Sequence, residues 1–321
     1  MSRKQFFLLL KIAVGCTLLI ILYQRINDSE DILRAFRLIN WHNIFICLFL
    51  LIPNFYIQFL RWRFLLRNYY PEVGNKDTLF SLLFGFTLGF ITPGNLGELG
   101  RAIFFQKYDR KIITGLNIFD KFANIVTVFS AGLISLNFIL FTRTQFPLLL
   151  LIFLLILTGI TLFFLWLFLF KPVLIYTIIL KKFSMFSIKS WGKTLLRGPT
   201  HLKKSDIFKV LGFSFLLLIT IVIQYHILIT AFEKTSIFYS FIAVSAILFT
   251  KMILPISFAD LGIRESAAVV YFTLFGVTKA AAFNAALLIF IINFFLPAIF
   301  GSLVIFKLKP ELTLVGPNSK R

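Results

Sequence analysis

The sequence predicts an all-α polytopic membrane protein with about six spanning helices and two re-entrant or broken helical hairpins. Three observations support this fold class. Hydrophobic residues make up 59% of the 321-residue chain, the mean hydropathy is +0.92, and only 14% of residues are charged, a composition typical of membrane proteins. Several apolar runs approach the ~20 residues that a spanning helix needs. Two further runs are short and are interrupted by proline or glycine.

The composition also argues against several kinds of site. The formal net charge is +20, but the basic residues lie between apolar runs rather than on one soluble domain, so we expect no nucleic-acid partner. Cys16 and Cys47 lie inside apolar runs, without the spacing of a disulfide framework or a metal site. The sequence contains no recognisable catalytic-nucleophile, zinc-protease or phosphate-loop motif. We therefore expect no metal, no cofactor and no enzyme active site.

The spanning helices are predicted from the apolar runs. The first run, at about 6–23, lacks the small-x-small cleavage site of a signal peptide and is predicted to be an uncleaved span. Further runs lie at about 42–60, 79–92, 113–141, 148–170, 207–231, 239–256 and 279–306. The runs at 79–92 and 239–256 are too short or marginal for a span, whereas the others reach or approach the required length.

Each short run is followed by a break and then by a second short apolar run, at 96–106 and 263–276. This pattern predicts two helical hairpins that enter and leave the membrane on the same side. Non-helical backbone is tolerated at membrane depth only where protein or water satisfies its polar groups. Eight full spans are the alternative, but that arrangement needs two spans that are too short.

The distribution of Lys and Arg predicts the topology. With two hairpins, most of these residues lie on the side of the N-terminus, which places both termini in the cytoplasm. The hairpins then open to opposite faces, as in an inverted repeat, an arrangement common in transporters. We expect one membrane domain, 1–321, built from a first half at about 42–141, a connecting span at about 148–170, a basic cytoplasmic loop at about 171–206 and a second half at about 207–306.

The basic loop at 171–206 contains many lysines and a single acid, Asp206. Aromatic and aliphatic residues alternate with these charges, so the segment could lie on the bilayer surface. There, each cation contributes ~1 kcal/mol of attraction to an anionic leaflet. The alternative is a loop whose charges only set the topology.

Two motifs, at 92–101 and 254–265, carry the chemistry. Each interrupts an apolar run and then places an acid, Leu and Gly within two residues of an arginine. A charge at the centre of a spanning helix costs ~2.5–3.5 kcal/mol, so these side chains must be paired, hydrated or close to the interface. The candidate substrate-binding residues in and beside the motifs are Pro93, Asn95, Gly97, Glu98, Gly100, Arg101, Lys251, Asp260, Gly262, Arg264 and Glu265.

The spacing suggests how these charges pair. Glu98 can reach Arg101 at i,i+3, and Asp260 can reach Arg264 at i,i+4. We hypothesise that the hairpin tips meet and that the two arginines share Glu98 and Glu265 across a pseudo-twofold axis. A helix that begins after such a break directs free N–H groups at its N-terminus, which suits a phosphate. The glycine and proline breaks could instead be purely architectural.

Other polar residues in the apolar runs are weaker candidates. Asp120 and Lys121 lie near the start of the 113–141 helix, where they could line an entrance or form an interfacial salt bridge. His226 is predicted to be intramembrane, either as a hydrogen-bonded core residue or as a proton relay.

At the two motifs the chain resembles the membrane region of lysylphosphatidylglycerol synthase and related flippase-like membrane proteins. That family typically has Pro-x-x-x-Gly-Glu-x-x-Arg in its first half and Pro-x-x-x-x-x-x-Gly-x-Arg-Glu in its second. The matching residues are Pro93, Gly97, Glu98, Arg101, Pro255, Gly262, Arg264 and Glu265. Asn95 and Ala259-Asp260 stand where small residues, mostly glycine, are common in the family, and the synthase's soluble aminoacyl-transferring domain is absent from this sequence.

The resemblance implies a stand-alone module of a prokaryotic inner membrane that moves an anionic or polyprenyl-linked lipid between leaflets. Arg101 and Arg264 would bind the headgroup phosphate, oriented by Glu98 and Glu265. Two alternatives are a membrane-embedded glycosyl- or acyl-transferase that uses an acid of the motifs (Glu98, Asp260 or Glu265) as base, and a non-transporting scaffold. The expected partners are membrane lipids, with a second copy of the chain or a lipid-pathway enzyme as further candidates.

Overall fold

The computed structural model describes residues 40–105, 107–144, 147–171, 186–254 and 260–303, and this part of the chain contains helices and no strands. The all-α prediction is therefore confirmed. The predicted first span, at 6–23, and Pro255 of the second motif lie outside the described residues. In chain order the helices are α1 (Trp41–Phe49), α2 (Leu51–Tyr69), α3 (Asn75–Ile91), a 3₁₀ helix (Pro93–Phe104), α4 (Arg110–Arg143), α5 (Leu148–Phe170), α6 (Phe186–His201), α7 (Lys204–Thr230), α8 (Ile237–Ile253), α9 (Ile263–Thr273) and α10 (Lys279–Phe290), which continues through a π-helix (Ile291–Phe295) to Leu303.

Within the described ranges, five helical segments are long and apolar enough to cross a membrane, namely Trp41–Tyr69, Arg110–Arg143, Leu148–Leu167, Lys204–Thr230 and Lys279–Leu303. They coincide with the five long runs predicted after residue 40. The first of them is interrupted at Leu50, between α1 and α2. Pro53 accounts for this interruption, because its ring would clash with the carbonyl four residues earlier, at Phe49. α3 and α8 have only 17 residues each, as the short runs predicted.

The first broken segment folds back on itself after Ile91. Thr92 is extended, with φ −107° and ψ 142°, and its hydroxyl accepts a hydrogen bond from the Gly97 amide. The 3₁₀ helix then runs antiparallel to α3, so that Glu98 lies against Gly89. Gly97 packs directly on the Leu88 carbonyl, where a Cβ atom would collide with the oxygen. These contacts define a helical hairpin, as the sequence predicted for this segment.

The second broken segment also folds back. The Thr250 and Tyr271 hydroxyls are 2.9 Å apart, and the Tyr239 and Phe275 rings stack with centroids 4.7 Å apart, so α9 runs back along α8. At the turn, Asp260 has φ +59° and Gly262 has φ +83°. An aspartate tolerates this left-handed conformation better than most residues, and a glycine adopts it without strain.

The side chains of the described helices form two large hydrophobic cores and a smaller cluster around Ile139, Ile242 and Ala246. One surrounds Trp62, Leu82 and Leu116 and joins α2, α3 and α4 to the start of α7. The other surrounds Leu228 and Phe272 and joins α7, α8, α9 and α10. Because α7 contributes to both cores, it connects the first hairpin to the second.

The predicted basic loop at 171–206 contains a helix that the sequence analysis did not anticipate, since residues 186–201 form α6. This helix packs against α4, where Gly198 faces Leu116 and Gly115 faces the Leu195 backbone. Two glycines at one contact allow the helix backbones to approach closely. Glycine, Pro199 and the dense basic charge made the segment resemble a loop. Residues 172–185 of the predicted loop lie outside the described part.

Candidate functional site

A cluster of charged side chains lies where the first hairpin packs against α2 and α4. We define this first charge cluster as Arg61, Glu98, Arg101, Asp120 and Lys121. Asp120 is at its centre: one carboxylate oxygen is 2.6 Å from Arg61 Nε, and the other is 3.2 Å from Arg101 Nη1. Asp120 is only 1% exposed, and both arginines are buried as well. Two guanidinium groups therefore share one buried carboxylate.

Glu98 supplies the second carboxylate of the cluster. Its Oε2 atom is 3.3 Å from Arg101 Nη2 and 3.2 Å from Lys121 Nζ. The Asn117 side-chain amide donates to the Glu98 backbone carbonyl at 2.8 Å, which fixes the 3₁₀ helix against α4. With three cations and two carboxylates, the cluster carries one surplus positive charge.

Two neighbours determine the position of Arg101. Its guanidinium lies 5.5 Å from the centre of the Trp62 ring, a cation–π distance. The Trp62 indole N–H donates to Ser81 Oγ at 2.9 Å, which anchors the ring. Gly85 makes room for the arginine, because a Cβ there would lie 2.6 Å from Arg101 Cγ. The predicted pairing of Glu98 with Arg101 is confirmed, and both side chains are held by their surroundings.

Arg61 is a site residue that the sequence does not reveal, because the distribution of Lys and Arg places it among the charges that set the topology. The side chain is buried and also donates to Ser214 Oγ at 2.9 Å and Asn124 Oδ1 at 3.4 Å. A signal was present in α2, since Asn54, Gln58 and Arg61 lie four and then three residues apart. That spacing places all three on one helical face.

A second group of charges lies at the turn of the second hairpin. We define this second charge cluster as Lys251, Asp260, Arg264 and Glu265. Lys251 Nζ is 3.5 Å from Asp260 Oδ2, a pairing that the sequence did not predict. The Arg264 guanidinium lies 4.9 Å from the centre of the Phe290 ring. With two cations and two carboxylates, this cluster is formally neutral.

Glu265 is fully buried and accepts a hydrogen bond from the Gly262 amide at 2.7 Å, so it caps its own helix. Arg101 pairs instead with Glu98 and Asp120. The hypothesis that arginines of the two halves share Glu98 and Glu265 is therefore wrong for Arg101 and Glu265. The physical reason is that Arg101 is already paired with Glu98 and Asp120, while Glu265 accepts from the backbone of its own helix.

The two clusters are nevertheless near each other. Lys251 lies within electrostatic range of Arg264 and of Glu98, so one ammonium group interacts with both clusters. Phe90, near the end of α3, stacks on Phe290, the ring that Arg264 also contacts. The two hairpins are thus linked by the stacking of Phe90 on Phe290 and by the electrostatic interaction of Lys251 with Glu98.

The other residues predicted for the site lie in or beside the first hairpin. Pro93 and Asn95 lie in the first turn of the 3₁₀ helix, and their side chains are not among the described groups. Gly100 packs against Leu88. Asp120 lies at the centre of the first charge cluster rather than at a surface entrance, whereas the Lys121 side chain is 23% exposed. In the part of the chain that the structure describes, no group of residues suits a metal ion.

A chain of amide side chains, which sequence analysis did not single out, joins α2, α7 and the π-helix. Gln58 donates to Asn54 at 2.9 Å, Asn54 donates to Gln224 at 2.9 Å, and Gln224 and Asn293 exchange hydrogen bonds of 2.9 and 2.7 Å. Interhelical amide bonds of this kind hold spanning helices together. His226 lies 3.0 Å from Ser240 Oγ, as the hydrogen-bonded alternative predicted.

The fold and the buried charges define an integral membrane protein with a polar site enclosed among its helices. The family model for the lysylphosphatidylglycerol synthase TM region matches residues 8–301, and the chain belongs to this family. This membership associates the protein with lipid handling. No curated protein and no solved structure matches the chain significantly.

Proposed function

We propose that the protein is a lipid translocase that moves a phosphate-bearing lipid, an anionic phospholipid or a polyprenyl-linked lipid, between the leaflets of the membrane. The observation that carries this proposal is the sharing of one carboxylate oxygen of Glu98 by the buried Arg101 and the partly exposed Lys121 in the first charge cluster. Guanidinium and ammonium groups bind phosphate through charge-assisted hydrogen bonds. The oxygens of a phosphodiester could therefore accept from the same donors that Glu98 now contacts.

The arrangement of Glu98 supports a cycle of binding and release. The same oxygen, Oε2, contacts both Arg101 and Lys121, and Glu98 is more exposed than Asp120. A phosphate that binds these two cations takes the place of the carboxylate. When Glu98 returns, it competes with the phosphate for the same donors and releases the headgroup. Asp120 holds Arg61 and Arg101 in place throughout.

The second hairpin completes the proposed site. We propose that both hairpins are re-entrant, that they enter from opposite faces as an inverted repeat, and that both termini are cytoplasmic. Broken helices in corresponding halves of a transporter mark its substrate site. Lys251 interacts electrostatically with both clusters and would meet a headgroup that leaves Arg101 for Arg264. The headgroup would therefore pass between the two turns.

Reconstitution tests the proposal. The purified protein is inserted into liposomes that contain a trace of fluorescent anionic phospholipid in both leaflets, and a membrane-impermeant quencher is added outside. We expect the inner-leaflet fluorescence to decay with the protein present and to persist in protein-free liposomes. Replacing Arg101 by Gln should slow this decay, whereas replacing the exposed Lys279 by Gln, a control with the same charge change, should not.

The same samples distinguish the alternatives. Extracted lipids are analysed by mass spectrometry after incubation with candidate donors. A chemically new lipid without redistribution would support a transferase and contradict transport. Neither product nor redistribution, with the labelled anionic and polyprenyl-linked lipids alike, would contradict transport and leave the scaffold as the better description.

A further inference from the structure

A groove of about 420 Å³ lies between α2 and α7, and none of its lining residues belongs to either charge cluster. Its volume falls in the range of ~300–1,000 Å³ typical of small-ligand sites. We call it the arginine groove, and its lining residues are Leu60, Arg63, Phe64, Arg67, Asn68 and Phe213. None of these side chains is acidic.

The cations around this groove differ from those of the first charge cluster in lacking carboxylate partners. Among the described residues, no ion pair includes Arg63, Arg67 or Lys209, and Arg63 Nε is buried without a hydrogen-bond acceptor. Arg67 Nε donates to the Val73 carbonyl at 3.1 Å, which orients the guanidinium and leaves its terminal nitrogens for another acceptor. Phe64 lies on the wall of the groove, and Lys209 Nζ is 5.4 Å from the centre of its ring.

The other wall of the groove is apolar. The rings of Phe64 and Phe213 lie 6.5 Å apart, and Leu60 extends the surface by one turn of α2. α2 ends at Tyr69 and α7 begins at Lys204, so the arginines lie near the ends of two spanning helices. The polar part of the groove is thus at the level expected for lipid headgroups, with the apolar part deeper along the same helices.

We infer that the arginine groove binds the phosphodiester headgroup of an anionic phospholipid from the surrounding bilayer, with the start of one acyl chain against Phe64 and Phe213. Bidentate guanidinium–phosphate contacts satisfy arginine donors that have no protein acceptor. A free phosphate would meet the same charges but would leave the apolar wall uncovered. This site is independent of the proposed transport, because none of its residues belongs to either charge cluster.

Native mass spectrometry of the full-length protein tests the inference, with phosphatidylglycerol, phosphatidylcholine and inorganic phosphate as probes. We expect phosphatidylglycerol to bind more tightly than the other two. The double variant Arg63→Gln/Arg67→Gln should weaken phosphatidylglycerol binding by about tenfold or more, as expected for lost charge-assisted hydrogen bonds. The control Lys234→Gln/Lys279→Gln removes the same charge from exposed positions at the other end of α7 and should bind as the wild type does.

Several outcomes would overturn the inference: equal affinity for phosphatidylglycerol and phosphatidylcholine, equal affinity for inorganic phosphate, or an equal loss of binding in both double variants. The variant Arg63→Lys/Arg67→Lys keeps the charge but loses the bidentate geometry, and it should bind with intermediate affinity. Thermal unfolding of each variant in detergent shows whether the fold is intact. Replacing Arg101 by Gln, which tests the proposed function, should leave binding to the arginine groove unchanged, so failure of either idea can be recognised separately.

Discussion

In the first hairpin, Arg101 is held by two carboxylates and the Trp62 ring, and its neighbours come from α2 and α4. In the second hairpin, Glu265 binds the backbone of its own helix, and Lys251 pairs with Asp260 across the turn. The first cluster has one surplus positive charge, whereas the second is neutral. Although the two sequence motifs are similar, the buried charges of the first hairpin are therefore paired with residues of other helices, whereas Asp260 and Glu265 of the second have partners within the hairpin itself.

This difference indicates that the two charge clusters have different roles. A site with surplus positive charge attracts an anion, whereas a neutral, internally capped turn mainly keeps its own backbone in place. We therefore expect substitutions in the first hairpin to affect binding and transport more strongly than the matching substitutions in the second. The following predictions, ordered by the size of the expected effect, test that asymmetry.

The largest effect is expected for Asp120→Asn. This change leaves Arg61 and Arg101 buried without the carboxylate they share, which should lower the free energy of unfolding by ~3–5 kcal/mol. The corresponding change in the second charge cluster, Asp260→Asn, should cost less because its partner Lys251 is 24% exposed. Denaturant unfolding in detergent measures both. Equal losses would contradict the asymmetry.

Gly97→Ala should also destabilise the first hairpin. The added methyl group would collide with the Leu88 carbonyl, so α3 and the 3₁₀ helix must move apart, at a cost of ~1–3 kcal/mol. The control is Gly212→Ala, where the new methyl group meets open space within α7 and should be neutral or slightly stabilising. If the two variants melt at the same temperature, the close packing of this hairpin is not important for stability.

Transport should distinguish the two arginines. Arg101→Gln removes contacts to both carboxylates of the first cluster and should slow lipid redistribution by about tenfold or more. Arg264→Gln should slow it less, because the second cluster does not supply the surplus charge. Initial rates in the quenching assay provide the comparison. A larger effect at Arg264 would contradict the different roles proposed for the two charge clusters.

The smallest effect is expected for Glu265→Gln. The glutamine side-chain oxygen can still accept from the Gly262 amide, so the cap is kept and the loss should be smaller than that of Asp120→Asn. Glu265→Ala removes the acceptor and should cost more. Thermal shifts of both variants test this difference, and identical shifts would show that the cap contributes nothing measurable.

Much of this arrangement could be predicted from the sequence. The five long spans and the two folded-back segments follow from the lengths of the apolar runs and the breaks between them. The Glu98–Arg101 pair follows from a spacing of three residues, and both kinds of pattern can be read from the sequence. The Asp120–Arg61 pair and the Gln224–Asn293 bond join helices far apart along the chain. No local spacing determines such contacts, since they depend on which helical faces pack together.

The same limit explains α6. Its helical form depends on packing against α4 through Gly115 and Gly198, whereas its own composition favours a solvated loop. The local sequence of this segment favours a loop, whereas its packing against α4 favours a helix, and the segment is helical. Conversely, the similarity of the two motifs predicts pairing across the two hairpins, but Arg101 pairs with Asp120 of α4, whose position beside it depends on tertiary packing.

The 3₁₀ helix at Pro93–Phe104 has one further mechanical consequence. It is 12 residues long, whereas most 3₁₀ segments are only a turn or so. Rewinding it as an α-helix would shorten it by about 6 Å, since the rise falls from about 2.0 to 1.5 Å per residue. Glu98 and Arg101, eclipsed in the present winding, would separate by about 60° around the axis. Because side chains at i and i+3 remain neighbours on an α-helix, such a change in length would alter the geometry of the Glu98–Arg101 ion pair without moving its partners out of reach.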